Sequence, residues 1–95
     1  MGYKLEKHEP YIITGKDGKE YKIHATLDMD MEEIDIVLKF NKTEDELEKT
    51  KLCKEFLLHA CPELEKEGIG DMEYFNIFMD YDKSNRQNKK DLGES

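Results

Sequence analysis

The segment PYIITGKDGKEYKIHAT, residues 10–26, decides the fold class. At its centre stands Asp17-Gly18, a pair that tolerates the positive φ of a tight turn and is typical of β-hairpins. After the turn, apolar and polar residues alternate over residues 21–26, which is the pattern of a strand with one face in water. Because two strands alone are only marginally stable, we expect the apolar face to pack on helices.

The next segment, DMDMEEIDIVLKFNK at residues 28–42, fits two structures. Its apolar residues alternate as in a strand, and they also recur at helical spacing. Asp30 followed by Glu33 resembles the capping box that begins many helices. The segment therefore favours a helix at about 31–41, with a third strand as the open alternative.

Two further helices are predicted downstream, at about 44–61 and 71–82. Thr43 with Glu46 fits a capping box at the start of the first, and Pro62 stands just beyond its end. With the hairpin, these segments predict an α+β, mainly α fold in which an N-terminal hairpin packs on about three helices.

The last predicted helix lies between polar segments. Asp71 can cap its first turn. Residues 83–95, KSNRQNKKDLGES, contain a single apolar residue, which predicts a disordered, flexible polar tail. We therefore expect one small domain over residues 1–82, with a boundary near Lys83.

The helix at 71–82 is apolar on two sides. On a helical wheel Met72, Phe75 and Met79 lie together. On the opposite side lie the candidate residues for partner binding or self-association: Tyr74, Ile77, Phe78 and Tyr81. Such a second apolar side is rich in the residues that interfaces favour. The alternative is that the hairpin covers one side and the long helix covers the other.

The composition predicts a single domain with a thin core. Leu, Ile, Val and Phe make up 21 of the 95 residues, only just above the roughly 20% at which disorder becomes common. A partner, or self-association into a homo-oligomer, would add apolar contacts to such a chain.

The charge argues against a nucleic-acid-binding protein. The net charge is −8, and residues 28–82 carry six Lys against seventeen Asp and Glu. Such a surface repels phosphate backbones. An acidic inhibitor that imitates DNA is an alternative function, and its candidate contact residues are Glu44, Asp45, Glu48 and Glu55.

We expect a cytoplasmic protein that makes no contact with a membrane. No apolar run is long enough to span a membrane or to act as a signal peptide. Cys53 and Cys61 are eight residues apart on one predicted helix, roughly 12 Å along its axis. That separation excludes a disulfide between them, so we expect reduced thiols.

The residues do not predict an enzyme, a cofactor or a metal site. Asp80, Asp82, Ser84, Asn88 and Asp91 match the ligand spacing of an EF-hand calcium loop. Three Asp but four Lys and Arg occupy residues 80–91, however, and no exit helix is visible. A calcium-binding module is therefore the weakest alternative. The remaining Cys, His and Gly residues lack the spacing of a nucleophilic, zinc or phosphate site.

Three motifs resemble one protein family. They are GKEYKI at residues 18–23, LLHACPEL at residues 57–64 and DMEYFNIF at residues 71–78. In this order, over roughly residues 11–82, the chain is similar to the small tail assembly chaperones of long-tailed bacteriophages.

The resemblance implies a function without catalysis. Such chaperones bind the phage tape-measure protein and keep it soluble until the tail tube assembles around it. It also implies a location in the cytoplasm of a bacterial host cell. A chaperone for long helices needs an exposed apolar side and a charged remainder. We expect Tyr74, Ile77, Phe78 and Tyr81 to supply that exposed side.

Overall fold

The structure is a computed structural model that describes the backbone of residues 2–94 and the side chains of residues 2–85. It contains a β-hairpin followed by three helices, so the predicted α+β, mainly α fold is confirmed. The elements are β1 (Tyr11–Thr14), β2 (Glu20–Ile23), a 3-10 helix (Thr26–Asp28), α1 (Met31–Lys42), α2 (Glu46–Ala60), a second 3-10 helix (Pro62–Glu67) and α3 (Asp71–Glu94).

The hairpin is antiparallel, and Tyr11 pairs with Ile23. Gly18 has φ 90°, the left-handed conformation that its place in the turn requires. Tyr21 and Ile23 are buried, while the intervening Lys22 is exposed. The alternation predicted for residues 21–26 is therefore present only as far as Ile23, where β2 ends; His24 and Ala25 are both half-buried.

The turn of the hairpin is attached to the second 3-10 helix through Glu67. Its Oε2 accepts a hydrogen bond from Tyr21 Oη at 2.6 Å, and its Oε1 accepts one from the backbone N–H of Lys16 at 3.2 Å. The bond to Glu67 raises the pKa of Tyr21 to about 12, and burial adds to the shift. The hairpin is thereby tied to the segment that links α2 and α3.

The ambiguous segment after the hairpin is helix α1. The described residues form a two-stranded sheet without a third strand. Asp30 is the N-cap, and the predicted capping box is present: Asp30 Oδ1 accepts from the Glu33 N–H, and Glu33 Oε1 accepts from the Asp30 N–H, both at 2.9 Å. This reciprocal pair satisfies two amides that the first turn leaves free.

The predicted Thr43–Glu46 capping box is wrong. Asp45 is the N-cap of α2, and its Oδ1 accepts from the Leu47 N–H at 3.0 Å. Since α1 continues to Lys42, Thr43 serves as its C-cap, and the Thr43 N–H donates to the Lys39 carbonyl. The link between the two helices is therefore too short for Thr43 to begin α2.

Helix α3 begins at Asp71, as predicted, but continues past the boundary predicted near Lys83 to Glu94. Asn85 supplies a physical reason. Its Nδ2 donates to the Tyr81 carbonyl at 2.9 Å, and its Oδ1 accepts from the Thr26 N–H at 3.0 Å. The polar Asn85 is thus held against the first 3-10 helix.

The side chains of residues 86–95 lie outside the described part of the chain, so a flexible tail there stays a prediction.

Asp71 differs from its expected role as the cap of α3. It lies inside the first turn and forms an ion pair with Lys54 Nζ at 3.2 Å. The first hydrogen bond of the helix runs from the Tyr74 N–H to the Gly70 carbonyl.

Among the described residues, no helix combines the length and apolarity needed to cross a membrane.

The core lies between α2 and its neighbours. Helix α2 packs on both α1 and α3, Phe40 of α1 also contacts α3, and β2 contributes from the hairpin. Burial of these side chains supplies most of the free energy that favours folding. The buried apolar residues are Tyr21, Ile23, Ile36, Leu52, Cys53, Phe56, Leu57, Leu64, Tyr74, Phe78 and Tyr81.

Candidate functional site

The predicted contact residues on α3 face the interior. Tyr74 is 2% exposed, Phe78 4% and Tyr81 1%, while Ile77 is half-buried against the same core. The expectation that these four residues form an exposed side is therefore wrong. The alternative, in which the hairpin covers one apolar side of α3 and the long helix covers the other, holds only in part. The hairpin, α1 and α2 all meet this one side.

Tyr81 shows how that cover is built. Its ring meets Tyr11 of β1 edge-to-face at 5.6 Å and Phe56 of α2 at 5.4 Å between centroids. Its hydroxyl donates to the His24 carbonyl at 2.7 Å, and burial raises its pKa to about 12. One side chain of α3 thus contacts both the hairpin and α2.

Phe78 is enclosed in the same way by α1 and α2. Its ring centroid lies 5.0 Å from that of Phe40 and 5.3 Å from that of Phe56. The other apolar side of α3 is the one left open, since Met72 and Met79 are both exposed. Phe75, between them, is half-buried and lies beside Phe40.

An exposed apolar row lies on α1. Met31 is 80% exposed, Ile34 39% and Leu38 50%, and their spacing of three and four residues places them on one side of the helix. We call Met31, Ile34 and Leu38 the α1 row. The opposite side of α1 carries the buried Ile36 and the half-buried Phe40. The helical repeat in the sequence contained these residues but did not show which side would be covered.

A second feature is a group of ionisable side chains between the hairpin, α1 and α2. We call His24, Asp30, Glu32, Glu33 and His59 the polar cluster. His59, in the last turn of α2, lies between two carboxylates: its Nε2 is 3.0 Å from Asp30 Oδ2 and its Nδ1 is 2.9 Å from Glu32 Oε2. The hydrogen bond with Asp30 raises the pKa of His59 and lowers that of Asp30.

Glu33 is the buried member of the polar cluster, at 1% exposure. Its Oε1 accepts from the Asp30 N–H and lies 2.7 Å from His24 Nε2. Its Oε2 is buried, and no group among the described residues donates a hydrogen bond to it. Leaving a buried carboxylate oxygen without a donor is costly, so this atom calls for an explanation.

Sequence reasoning missed the polar cluster. It assigned Glu33 to a helix cap and placed His24 on the wet side of a strand. His59 carried no signal, because it lies 26 residues after Glu33 in the sequence. Only the packing of α1 against α2, which depends on distant residues, brings these side chains together.

The EF-hand spacing belongs to a helix. Asp80 and Asp82 lie within α3, which continues through the whole candidate loop, whereas an EF-hand ligand loop must wrap around its ion. Asp80 Oδ2 also accepts a hydrogen bond from Tyr11 Oη at 2.5 Å. The side chains of Asn88 and Asp91 lie outside the described residues.

The acids proposed for DNA imitation are all exposed: Glu44, Asp45, Glu48 and Glu55. Lys51 and Lys54 are exposed on the same helix, so the acidic surface is interrupted by cations. Comparison of the chain with protein-family models, with curated proteins and with solved structures finds no match. The features on which function can be argued are therefore the α1 row, the acidic surface and the polar cluster.

Proposed function

We propose that the protein is a non-enzymatic phage tail assembly chaperone that acts in the cytoplasm of a bacterial host cell. Its partner is the tape-measure protein, which it keeps soluble during tail assembly. The partner class comes from the resemblance of the sequence motifs. The observation that carries the proposal is the α1 row, three large apolar side chains exposed on one side of a capped helix.

The geometry of the α1 row suits a helical partner. Met31 and Leu38 are seven residues apart, which spans roughly 10 Å along the helix axis. An amphipathic helix presents its own apolar residues at the same spacing, so two such helices can pack along their seams. Methionine and leucine also adapt well to partners of varied shape.

The charge of the chain supports both solubility and partner choice. The net charge of −8 keeps chaperone–partner complexes from associating with one another. Next to the α1 row stand Glu32 and Asp35, both exposed. Glu32 pairs with His59 and Asp35 with Lys39, and such exposed pairs are weak enough for a cation of the partner to compete. We therefore expect the bound segment to carry Lys or Arg beside its apolar seam.

The residues of α3 first predicted to contact the partner have a structural role in the proposed function. Tyr74, Phe78 and Tyr81 hold α3 against α2 and the hairpin, and so maintain the fold that displays α1. The assignment of partner binding moves from α3 to the α1 row. Self-association through the same row competes with binding to the partner.

Co-expression provides the test. The partner is the product of a long, helix-rich open reading frame next to the gene for this chain. We expect the chain to raise the soluble fraction of that product, and Leu38→Asp to abolish the effect. Asn76→Asp is the matched control, because it adds the same charge at an exposed helical position. Loss of solubilisation with the control, or its retention with Leu38→Asp, would overturn the assignment to the α1 row.

A salt series separates this proposal from DNA imitation. Binding through apolar side chains persists in about 1 M salt, where the Debye length is only about 3 Å. Binding of a DNA-reading protein to the acids on α2 would collapse under the same conditions. It would also weaken with Glu48→Gln and Glu55→Gln. That combination of results would replace the chaperone proposal.

A further inference from the structure

The polar cluster holds an excess of negative charge. Three carboxylates, Asp30, Glu32 and Glu33, face two imidazoles, His24 and His59. Even with both imidazoles protonated, the cluster carries a net charge of −1. Because one of the carboxylates is buried, this charge is poorly screened by solvent.

Counting hydrogen bonds shows which atoms are left for another ligand. Asp30 Oδ1 accepts from the Glu33 N–H, and Glu33 Oε1 is engaged by the Asp30 N–H and by His24. The remaining oxygens are Asp30 Oδ2, which lies against His59, and Glu33 Oε2, which has no donor among residues 2–85. The capping box thus orients both carboxylates and leaves one oxygen of each.

His59 is held in the orientation that a metal ligand needs. Its Nδ1 lies 2.9 Å from Glu32 Oε2 in an ion pair, and its Nε2 hydrogen-bonds Asp30 Oδ2 at 3.0 Å. A metal at Nε2 would replace the proton there, which leaves to solvent, while Nδ1 keeps its proton facing Glu32. A histidine that binds a metal through one nitrogen commonly donates its other N–H to a carboxylate. Glu32 stands beside His59 Nδ1 in the place of such a carboxylate, and Nε2 faces Asp30.

We propose that Asp30, Glu33 and His59 bind one divalent transition-metal cation of the Zn²⁺ class. One ligand atom from each of the three residues lies within 4.8 Å of the others. Tetrahedral ligands about 2.1 Å from a zinc ion are roughly 3.4 Å apart, so small side-chain rotations complete the site. We assign Oε2, the Glu33 oxygen without a donor among the described residues, as the Glu33 ligand atom.

The donor set selects the class of metal. An imidazole nitrogen with two carboxylate oxygens suits Zn²⁺ and its neighbours in the first transition row, whereas Ca²⁺ and Mg²⁺ prefer oxygen ligands alone. Three protein ligands leave a fourth position for water. Asp30 keeps 59% of its side chain exposed, which gives the ion a path from solvent.

The placement predicts what the metal does. His59 belongs to the C-terminal turn of α2. The carboxylates belong to the N-cap and first turn of α1, where the helix dipole favours their ionised form. The bound ion joins these two helix ends, and His24 links the end of β2 to the site through Glu33. Binding therefore stabilises the fold, independently of the partner protein.

The test is titration of metal-free protein with ZnCl2, followed by calorimetry and by thermal unfolding. We expect one ion per chain and a rise in Tm of about 5 °C or more at saturation. Glu32→Gln should weaken binding about 10- to 100-fold by freeing the imidazole, and His59→Gln should weaken it further. His8→Gln is the matched control, because it removes an imidazole paired with a different carboxylate, Asp28, and it should leave affinity within about twofold.

Several results would overturn the proposal. They are the absence of Zn²⁺ binding to the wild-type chain, binding that survives His59→Gln, and an equal loss with His8→Gln. Co²⁺ in place of Zn²⁺ tests the donor atoms directly. A cobalt spectrum with thiolate charge transfer would assign the ion to Cys53 or Cys61 instead, whereas nitrogen and oxygen ligation supports the polar cluster. Both thiols are free in the structure.

Discussion

The interior side of α3 and the α1 row are both apolar at helical spacing, yet the fold covers only the first. Tyr74, Phe78 and Tyr81 are at most 4% exposed, whereas Met31 is 80% exposed. The covered side is aromatic and meets rings from the hairpin, α1 and α2. The difference teaches that helical spacing identifies an apolar side but not what packs on it.

The largest effect is expected for Phe78. Phe78→Ala removes a ring that packs between Phe40 and Phe56, and the cavity should lower the free energy of unfolding by about 3–5 kcal/mol. Urea unfolding followed by circular dichroism measures the loss. The neighbouring Met79 is exposed, so Met79→Ala should cost about 0.5 kcal/mol or less. Similar losses for the two variants would contradict the assignment of the covered side.

Tyr81 tests the polar part of the same interior side. Tyr81→Phe keeps the ring contacts but removes the hydroxyl that donates to the His24 carbonyl at 2.7 Å. We expect the free energy of unfolding to fall by about 1 kcal/mol, because a half-buried carbonyl loses its donor. Tyr3→Phe, at a position 88% exposed, is the control and should not change stability. A neutral Tyr81→Phe would show that the contact with the hairpin is apolar alone.

Asn85 tests where the packed part of α3 ends. Asn85→Ala removes the acceptor for the Thr26 N–H and the donor to the Tyr81 carbonyl, and it should cost about 1 kcal/mol. Amide hydrogen exchange provides a local readout, since protection of the Thr26 N–H should fall. Lys83→Ala, at an exposed position, should leave that amide unchanged. Equal protection in both variants would restore the boundary predicted near Lys83.

Features set by neighbours in the sequence were predictable. Asp17-Gly18 identified the hairpin, and Asp30 with Glu33 identified the start of α1, because a turn or a capping box is complete within a few residues. The choice of Thr43 as a cap failed for a local reason as well. The link between α1 and α2 is short, and Thr43 is already the C-cap of α1.

Features that depend on distant contacts were not predictable. The side of α3 that is buried depends on where β1 and α2 pack, and Tyr11 and Tyr81 are 70 residues apart. The continuation of α3 depends on the amide of Thr26, far along the chain from Asn85. The polar cluster likewise joins His59 to Glu33 across two helices. In each case the local pattern was compatible with more than one tertiary environment.

The smallest expected effect concerns the reactivity of two thiols, Cys53 within α2 and Cys61 just after it. Cys53 is buried in the core that also contains Phe78, and burial raises its pKa to about 12. At pH 8 only about one Cys53 in ten thousand is then a thiolate, the form that reacts.

Cys61 is half-buried just after α2, so alkylation of the folded chain at pH 8 should modify Cys61 first. Cys53 should react only when the core opens, rapidly in urea and slowly through native-state opening. Phe78→Ala should hasten its labelling without urea, because the core then opens more often. Equal alkylation rates for the two thiols in the folded chain would show that the core beside α3 is open to solvent. Tyr74, Phe78 and Tyr81 would then be candidate contact residues again.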